Sequence, residues 1–174
     1  MARMVRIDPG AGGSRPRGHL PTTPMNTVRQ AVPADLDAVS ELFDQYRQFQ
    51  GRPADLPACR AFLHARFEHG QSVVFLGEVQ GQAAGFAQLY PSFSSTALAR
   101  VFILNDLFVA PTARRSGLAS ALLEAVESHA QAFGACRLSL NVARDNLPAQ
   151  RLYQARGWVQ DGEFFMFHRF PPRD

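Results

Sequence analysis

The chain has 174 residues, 46% hydrophobic and 19% charged, which suits one soluble globular domain with apolar material enough for its own core. Its formal net charge of +3 comes entirely from residues 1–24, where Arg3, Arg6, Arg15 and Arg17 face only Asp8. The remainder sums to zero. A neutral domain with a short basic tail lacks the footprint of a nucleic-acid binder, and no apolar run is long enough to span a membrane or follows the first arginines as a secretory signal would.

Residues 1–24, with Pro9-Gly10-Ala11-Gly12-Gly13, bury too little apolar surface to offset ordering entropy. They are expected to form a disordered tail ahead of a single domain, 25–174, with Met25 as a candidate start. Thr27–Val32 reads as a strand. Pro33 then opens a helix with Leu36, Val39, Leu42, Phe43 and Tyr46 at three-four spacing. A second helix is expected from about Pro57 to Glu68, ended by His69-Gly70. Ser72–Val79 and Gln82–Tyr90 read as strands joined by a tight turn at Gln80-Gly81. Pro91–Ala97 is expected to be a loop and Arg100–Val109 a long apolar strand. Ser116–Phe133 carries the clearest helical period, through Leu118, Ala121, Leu122, Ala125, Val126, Ala130 and Phe133. Arg137–Val142 reads as a buried strand. Asn146–Arg156 reads as a helix with Asn146 as N-cap and Pro148 in its first turn. Trp158–Gln160 and Glu163–Phe170 are expected to finish the chain as strands. This order predicts a mixed α/β (α+β) fold around one central sheet, with antiparallel hairpins early and parallel pairing later.

The chemically informative stretch is Leu104-Asn105-Asp106-Leu107-Phe108-Val109, then Ala110-Pro111-Thr112-Ala113, then Arg114-Arg115-Ser116-Gly117-Leu118-Ala119. A strand runs into a loop that opens a long helix. A helix N-terminus offers backbone N–H groups without partners and partial positive charge. Gly117 and Ala119 keep side chains clear, and two arginines add charge at the rim. Such a loop suits a pyrophosphate. It is neither a Walker loop nor a GxGxxG fingerprint.

Arg114-x-x-Gly117-x-Ala119 after a strand resembles the pyrophosphate-binding signature of GNAT acyltransferases. Asn146-x-x-Ala149-x-x-Leu152-Tyr153-x-x-x-Gly157-Trp158 is similar to that family's next block, and the element order fits over about residues 26–170. The resemblance implies a central sheet whose two parallel strands, Arg100–Val109 and Arg137–Val142, splay apart to admit acetyl-CoA. It implies pantetheine contacts at Leu107, Phe108 and Val109. Pyrophosphate would rest on backbone N–H groups of Arg115, Ser116, Gly117, Leu118, Ala119 and Ser120, with Arg114 beside them. Asn146 would bond the pantetheine arm. Tyr153 would protonate the departing CoA thiolate. Each position also has a plainer role: surface charge for the arginines, a helix cap for Asn146, a core aromatic for Tyr153.

The segment Leu104–Val109 is similar to that of polyamine acetyltransferases, but Asn105 stands where those have Glu. Asp106 is therefore the expected base, directly or through a water positioned by Asn105. Successive strand residues face opposite ways, so only one of the two is expected to reach the acceptor. Asp44, Tyr46, Tyr90, Phe93 and Ser94 are candidate walls of the acceptor site. The expected activity is acetyl transfer from acetyl-CoA to a primary amine of a small molecule, polyamine-like or other. Alternatives are a protein or peptide amine acceptor, or an acyl-CoA-binding module without chemistry. Cys59 and Cys136 read as reduced thiols of a cytoplasmic protein. The histidines are scattered and no metal is expected. Dimerisation through the aromatic final strand is expected by analogy only.

Overall fold

The computed structural model of the protein describes residues 26–164 and 166–171. The expected disordered tail at 1–24 and the candidate start at Met25 lie outside the described residues. The elements are β1 (Asn26–Gln30), α1 (Leu36–Phe49), α2 (Leu56–Glu68), β2 (Val73–Val79), β3 (Gln82–Ser94), β4 (Ala99–Val109), α3 (Leu118–Ala132), β5 (Arg137–Leu140) and α4 (Leu147–Ala155). Single 3₁₀ turns at Pro33–Asp35 and Pro111–Ala113 lead into α1 and the loop before α3.

The five strands lie in chain order in one sheet. The first four are antiparallel to their neighbours, and β4 and β5 run parallel. Each face of the sheet carries its own apolar layer. Leu118, Leu122, Leu123 and Val126 of α3 pack with Phe75, Ala87, Leu89, Phe102 and Leu104 on one side. Leu36, Val39 and Leu42 of α1 and Leu63 of α2 pack with Val74, Leu76, Phe86 and Phe108 on the other. Gly85 permits the close fit near the start of β3. A Cβ built there would lie 2.7 Å from the Phe108 carbonyl oxygen and 3.2 Å from Leu118 Cδ2.

Three expectations need correction. The strand placed at Gln82–Tyr90 continues to Ser94, so most of the segment read as a loop is a hairpin with β4, paired to Ser94↔Ala99. Pro91 does not stop it because β3 has lost its β2 neighbour after Leu89, and an edge strand tolerates proline. Among the described residues no strand follows β5. Strand propensity supplies no ladder without a partner, and Val159, Phe164, Met166, Phe167 and Phe170 stand exposed. Phe165, inside the expected last strand, lies outside the described residues. Finally, β5 ends at Leu140 rather than Val142.

Candidate functional site

The site is built where β4 outruns β5. β5 pairs only with Val101–Leu104, while β4 continues to Val109. Ala110 N–H donates to the Ala84 carbonyl of β3 at 2.8 Å. Backbone groups alternate sides along a strand, so those of Leu107 and Val109 face the gap beside β5, while those of Phe108 face β3. The Phe108 side chain fills the α1 layer. Leu107 and Val109 side chains pack on the α3 side.

The loop after β4 ends in two left-handed residues, Arg115 at φ +63° and Gly117 at φ +86°. Gly117 is the N-cap of α3. The first helical bond is Ala121 N–H to the Gly117 carbonyl at 3.1 Å, which leaves the N–H groups of Ala119 and Ser120 without intrahelical acceptors. Ser116 Oγ donates to the Ala113 carbonyl at 2.7 Å and reaches Leu118 N–H at 3.4 Å. Asn26 Nδ2, from the start of β1, donates to the Ser116 carbonyl at 2.7 Å. A Cβ added at Gly117 would meet nothing nearer than that Nδ2, at 3.8 Å. Val109, Ala113, Arg114, Arg115, Gly117, Leu118, Ala119 and Ser120 enclose an open pocket of about 220 Å³. Left-handed backbone, free N–H groups and arginine at the rim fit a pyrophosphate. Arg114 lies back over the Phe49 ring at 5.3 Å, with Nε 3.4 Å from the Val109 carbonyl.

On the opposite face of β4 sits a buried carboxylate. The ladder passes from Gln88↔Asp106 to Leu89↔Leu104, so Asn105 is an unpaired bulge residue. Bulges reset side-chain alternation. As a result Asn105 and Asp106 do not diverge as simple alternation predicts: Asn105 Nδ2 donates to Asp106 Oδ2 at 3.1 Å. Burial pushes the Asp106 carboxyl above the usual aspartate range, against the opposing hydrogen bonds from Asn105 and Tyr46. Tyr46, on α1, packs 6.0 Å from both Phe86 and Phe108. Its phenol is pushed up to about 12, first by burial and then by Asp106, with Tyr153 contributing. Tyr153 lies half-buried on α4 with its ring 5.8 Å from Trp158. Burial raises the Tyr153 phenol as well. Glu127 of α3 holds the end of α4 through Arg156 at 2.6 Å and Trp158 Nε1 at 2.8 Å.

Asn146 caps α4, its Oδ1 accepting from Ala149 N–H at 3.3 Å. This leaves its amide nitrogen to donate elsewhere. Among the candidate walls, Tyr90 is half-buried on the face that carries Asp106. Phe93 and Ser94 belong to the far end of the hairpin, Phe93 beneath Arg100 at 4.9 Å and Ser94 closing the turn onto Ala97 N–H. Asp44 is consumed by structure. It accepts from Asp55 N–H at 2.8 Å and Gln48 Nε2 at 2.9 Å, and the Asp55 bond leads the causes that lower its pKa. Reading the sequence missed Gln88, fully buried opposite Asp106 with Nε2 donating to Ser72 Oγ at 2.9 Å. A polar residue inside the run Gly85–Leu89 was its only signal. Among the described residues no group of three or more His, Cys, Asp or Glu side chains forms a metal site, and no helix is long and apolar enough to cross a membrane.

Residues 36–158 match the model of the acetyltransferase (GNAT) family. The chain is 43% identical over 137 residues to the uncharacterized N-acetyltransferase YhfO of Bacillus subtilis, covering 79% of this chain and 92% of that protein. A probable acetyltransferase of Haemophilus influenzae is 31% identical over 90 residues, 51% of this chain and 62% of that one. The crystal structure of a probable acetyltransferase superposes with a TM-score of 0.79 at 37% identity, covering 85% of this chain and 99% of the other. An aminoglycoside N-acetyltransferase in complex with CoA shares the fold, with TM-score 0.70, 22% identity and coverage of 86% and 98%. The chain therefore belongs to the GNAT family of acetyl-CoA-dependent acyltransferases.

Proposed function

We propose that the protein is an N-acetyltransferase that moves the acetyl group of acetyl-CoA directly to a primary amine of a small molecule. One observation carries the reading: the gap beside β4 lies between the left-handed Gly117 loop and the buried Asp106. An anion seat and a carboxylate of raised pKa thus flank one strand. Acetyl-CoA supplies the acetyl group as an activated thioester. Loop N–H groups from Arg115 to Ser120 hold its pyrophosphate, with Arg114 at the rim, and Leu107, Val109 and Asn146 bind the pantetheine arm. Phe108 supports that strand from the other face. The Val109 N–H polarises the thioester carbonyl. Asp106, steadied by Asn105, takes the proton of the attacking amine, for which a raised pKa is suited. Tyr153 keeps its proton at neutral pH and delivers it to sulfur.

Polyamine-like acceptors are the first class suggested, by the likeness of Leu104–Val109 to polyamine acetyltransferases. The aminoglycoside enzyme among the structural neighbours, one of whose structures holds a CoA–acetylneamine bisubstrate analogue, is in keeping with a small amine. We place the enzyme in the cytoplasm, and the exposed aromatic residues after α4 offer surface for a homodimer. Titration of acetyl-CoA into the full chain should give binding on the order of micromolar, and a panel of small amines should then release CoA. Absence of binding would remove the reading. Binding without release for any amine would leave an acyl-CoA-binding module.

A further inference from the structure

α2 turns Cys59 and Leu63 into the protein, both almost fully buried. Arg66 follows Leu63 by three residues, on the same helical face. The guanidinium of Arg66 lies 4.4 Å over the ring of Phe62. That ring stacks on Phe43 at 5.7 Å, and Phe43 meets Tyr46 and Phe86 at 6.3 and 6.0 Å. The arginine thus tops the aromatic layer that backs Asp106. Its Nε is buried without an acceptor, and among the described residues it forms no ion pair. Of the carboxylates around α2, Asp44 and Asp55 cap the turn before it, Asp37 binds Arg60, and Glu68 faces His64 and His69 at 3.7 and 4.0 Å.

Desolvating part of a guanidinium without a carboxylate is unfavourable. An anion brought by a ligand would relieve it. Tyr90 is half-buried on the sheet face that carries Asp106 and Phe86, the face that α1 and α2 cover through Leu42 and Leu63. In keeping with that, after burial its phenol feels Asp106, which raises its pKa, and Arg66, which lowers it. One face of the sheet therefore holds the carboxylate and receives the helix that bears the guanidinium.

We propose that Arg66 is an anion-binding residue of the acceptor site, and that the amine acetylated also bears a carboxylate or phosphate. The nitrogen is presented to Asp106 and the anionic end to Arg66, across Tyr90. This rests on the transferase reading and narrows it, away from polycations, which Arg66 would repel. Planar guanidinium geometry favours a bidentate oxyanion.

The test compares four amines of similar length with the full chain and saturating acetyl-CoA, reading CoA release. They are γ-aminobutyrate, aminopropylphosphonate, butylamine and putrescine. The expected order places one of the first two ahead of butylamine and putrescine by roughly 10- to 100-fold in kcat/KM, the scale of a charge-assisted hydrogen bond. Which of the two leads assigns carboxylate or phosphate. Arg66→Gln should abolish that preference through KM, affect butylamine far less than the anionic amines, and keep acetyl-CoA affinity. Arg66→Lys should restore part of it. A preference for putrescine, or an equal loss for charged and neutral amines in Arg66→Gln, would overturn the assignment. Release with none of the four from a protein that still binds acetyl-CoA would overturn Arg66's role, and the transferase reading falls with it only when the wider amine panel also releases no CoA.

Discussion

Replacing Gly117 by alanine and, separately, by glutamate divides two effects at the anion seat. Gly117 sits at φ +86° with no atom within 3.4 Å of an added Cβ, so the Cβ common to both variants fits. Both pay the left-handed backbone cost, about 1–2 kcal/mol, which for a domain of this size lowers Tm by roughly 2–8 °C. Only glutamate adds charge. A carboxylate about 5 Å from a phosphate at an effective dielectric near 20 repels by about 3 kcal/mol. Solvent screening at this exposed loop trims that to about 2–3 kcal/mol, or roughly 30- to 150-fold in Kd. Calorimetric titration of acetyl-CoA with thermal unfolding of all three proteins reads both. Similar Tm losses, near-normal affinity for Gly117→Ala and a large loss for Gly117→Glu are expected. Wild-type affinity in Gly117→Glu would refute the placement of the pyrophosphate.

Asp106→Asn should cut turnover by on the order of 100-fold or more and yet stabilise the fold. Burial raises the carboxyl's pKa in the folded state, so wild type loses stability as pH climbs from the ordinary aspartate range through the raised value. The mutant's advantage should be absent at acid pH and full at neutral pH; denaturant titrations showing no such crossover would refute the buried carboxylate. Tyr153→Phe should lower kcat by about 100-fold with acetyl-CoA affinity kept, and unchanged turnover would mean another acid. Gly85→Ala should cost about 1–3 kcal/mol, because its Cβ meets the backbone oxygen of Phe108. It should also weaken acetyl-CoA by moving β4, and an unaltered melting temperature would show that the strands separate freely.

Features decided locally were legible in the sequence. The turn at Gln80 and Gly81, both with positive φ, the period of α3 and the Asn146 cap each depend on neighbours within a few residues. Features decided by distant partners were not. Pro91 signals a break, yet β4 lies alongside to carry β3 on to Ser94. The aromatic residues after Trp158 have strand propensity and no ladder. The bulge at Asn105 leaves no mark in composition, and it determines which side of β4 Asp106 takes. Asp44 reads as an available carboxylate until the turn before α2 folds onto it. The Arg114–Ala119 pattern was visible because a loop opening a helix N-terminus is itself a local object; the proposed acceptor side draws on α1, α2, β3 and β4 together.

Asn26 and Ser116 are 90 residues apart in sequence and joined by one hydrogen bond. A ligand that binds the folded loop suppresses every opening motion that unmakes it. Amide hydrogen exchange in β1 should therefore slow when acetyl-CoA is added, although the strand reaches the proposed pyrophosphate loop only from behind, through the Asn26 side chain. β1 then acts as a distant gauge of cofactor occupancy.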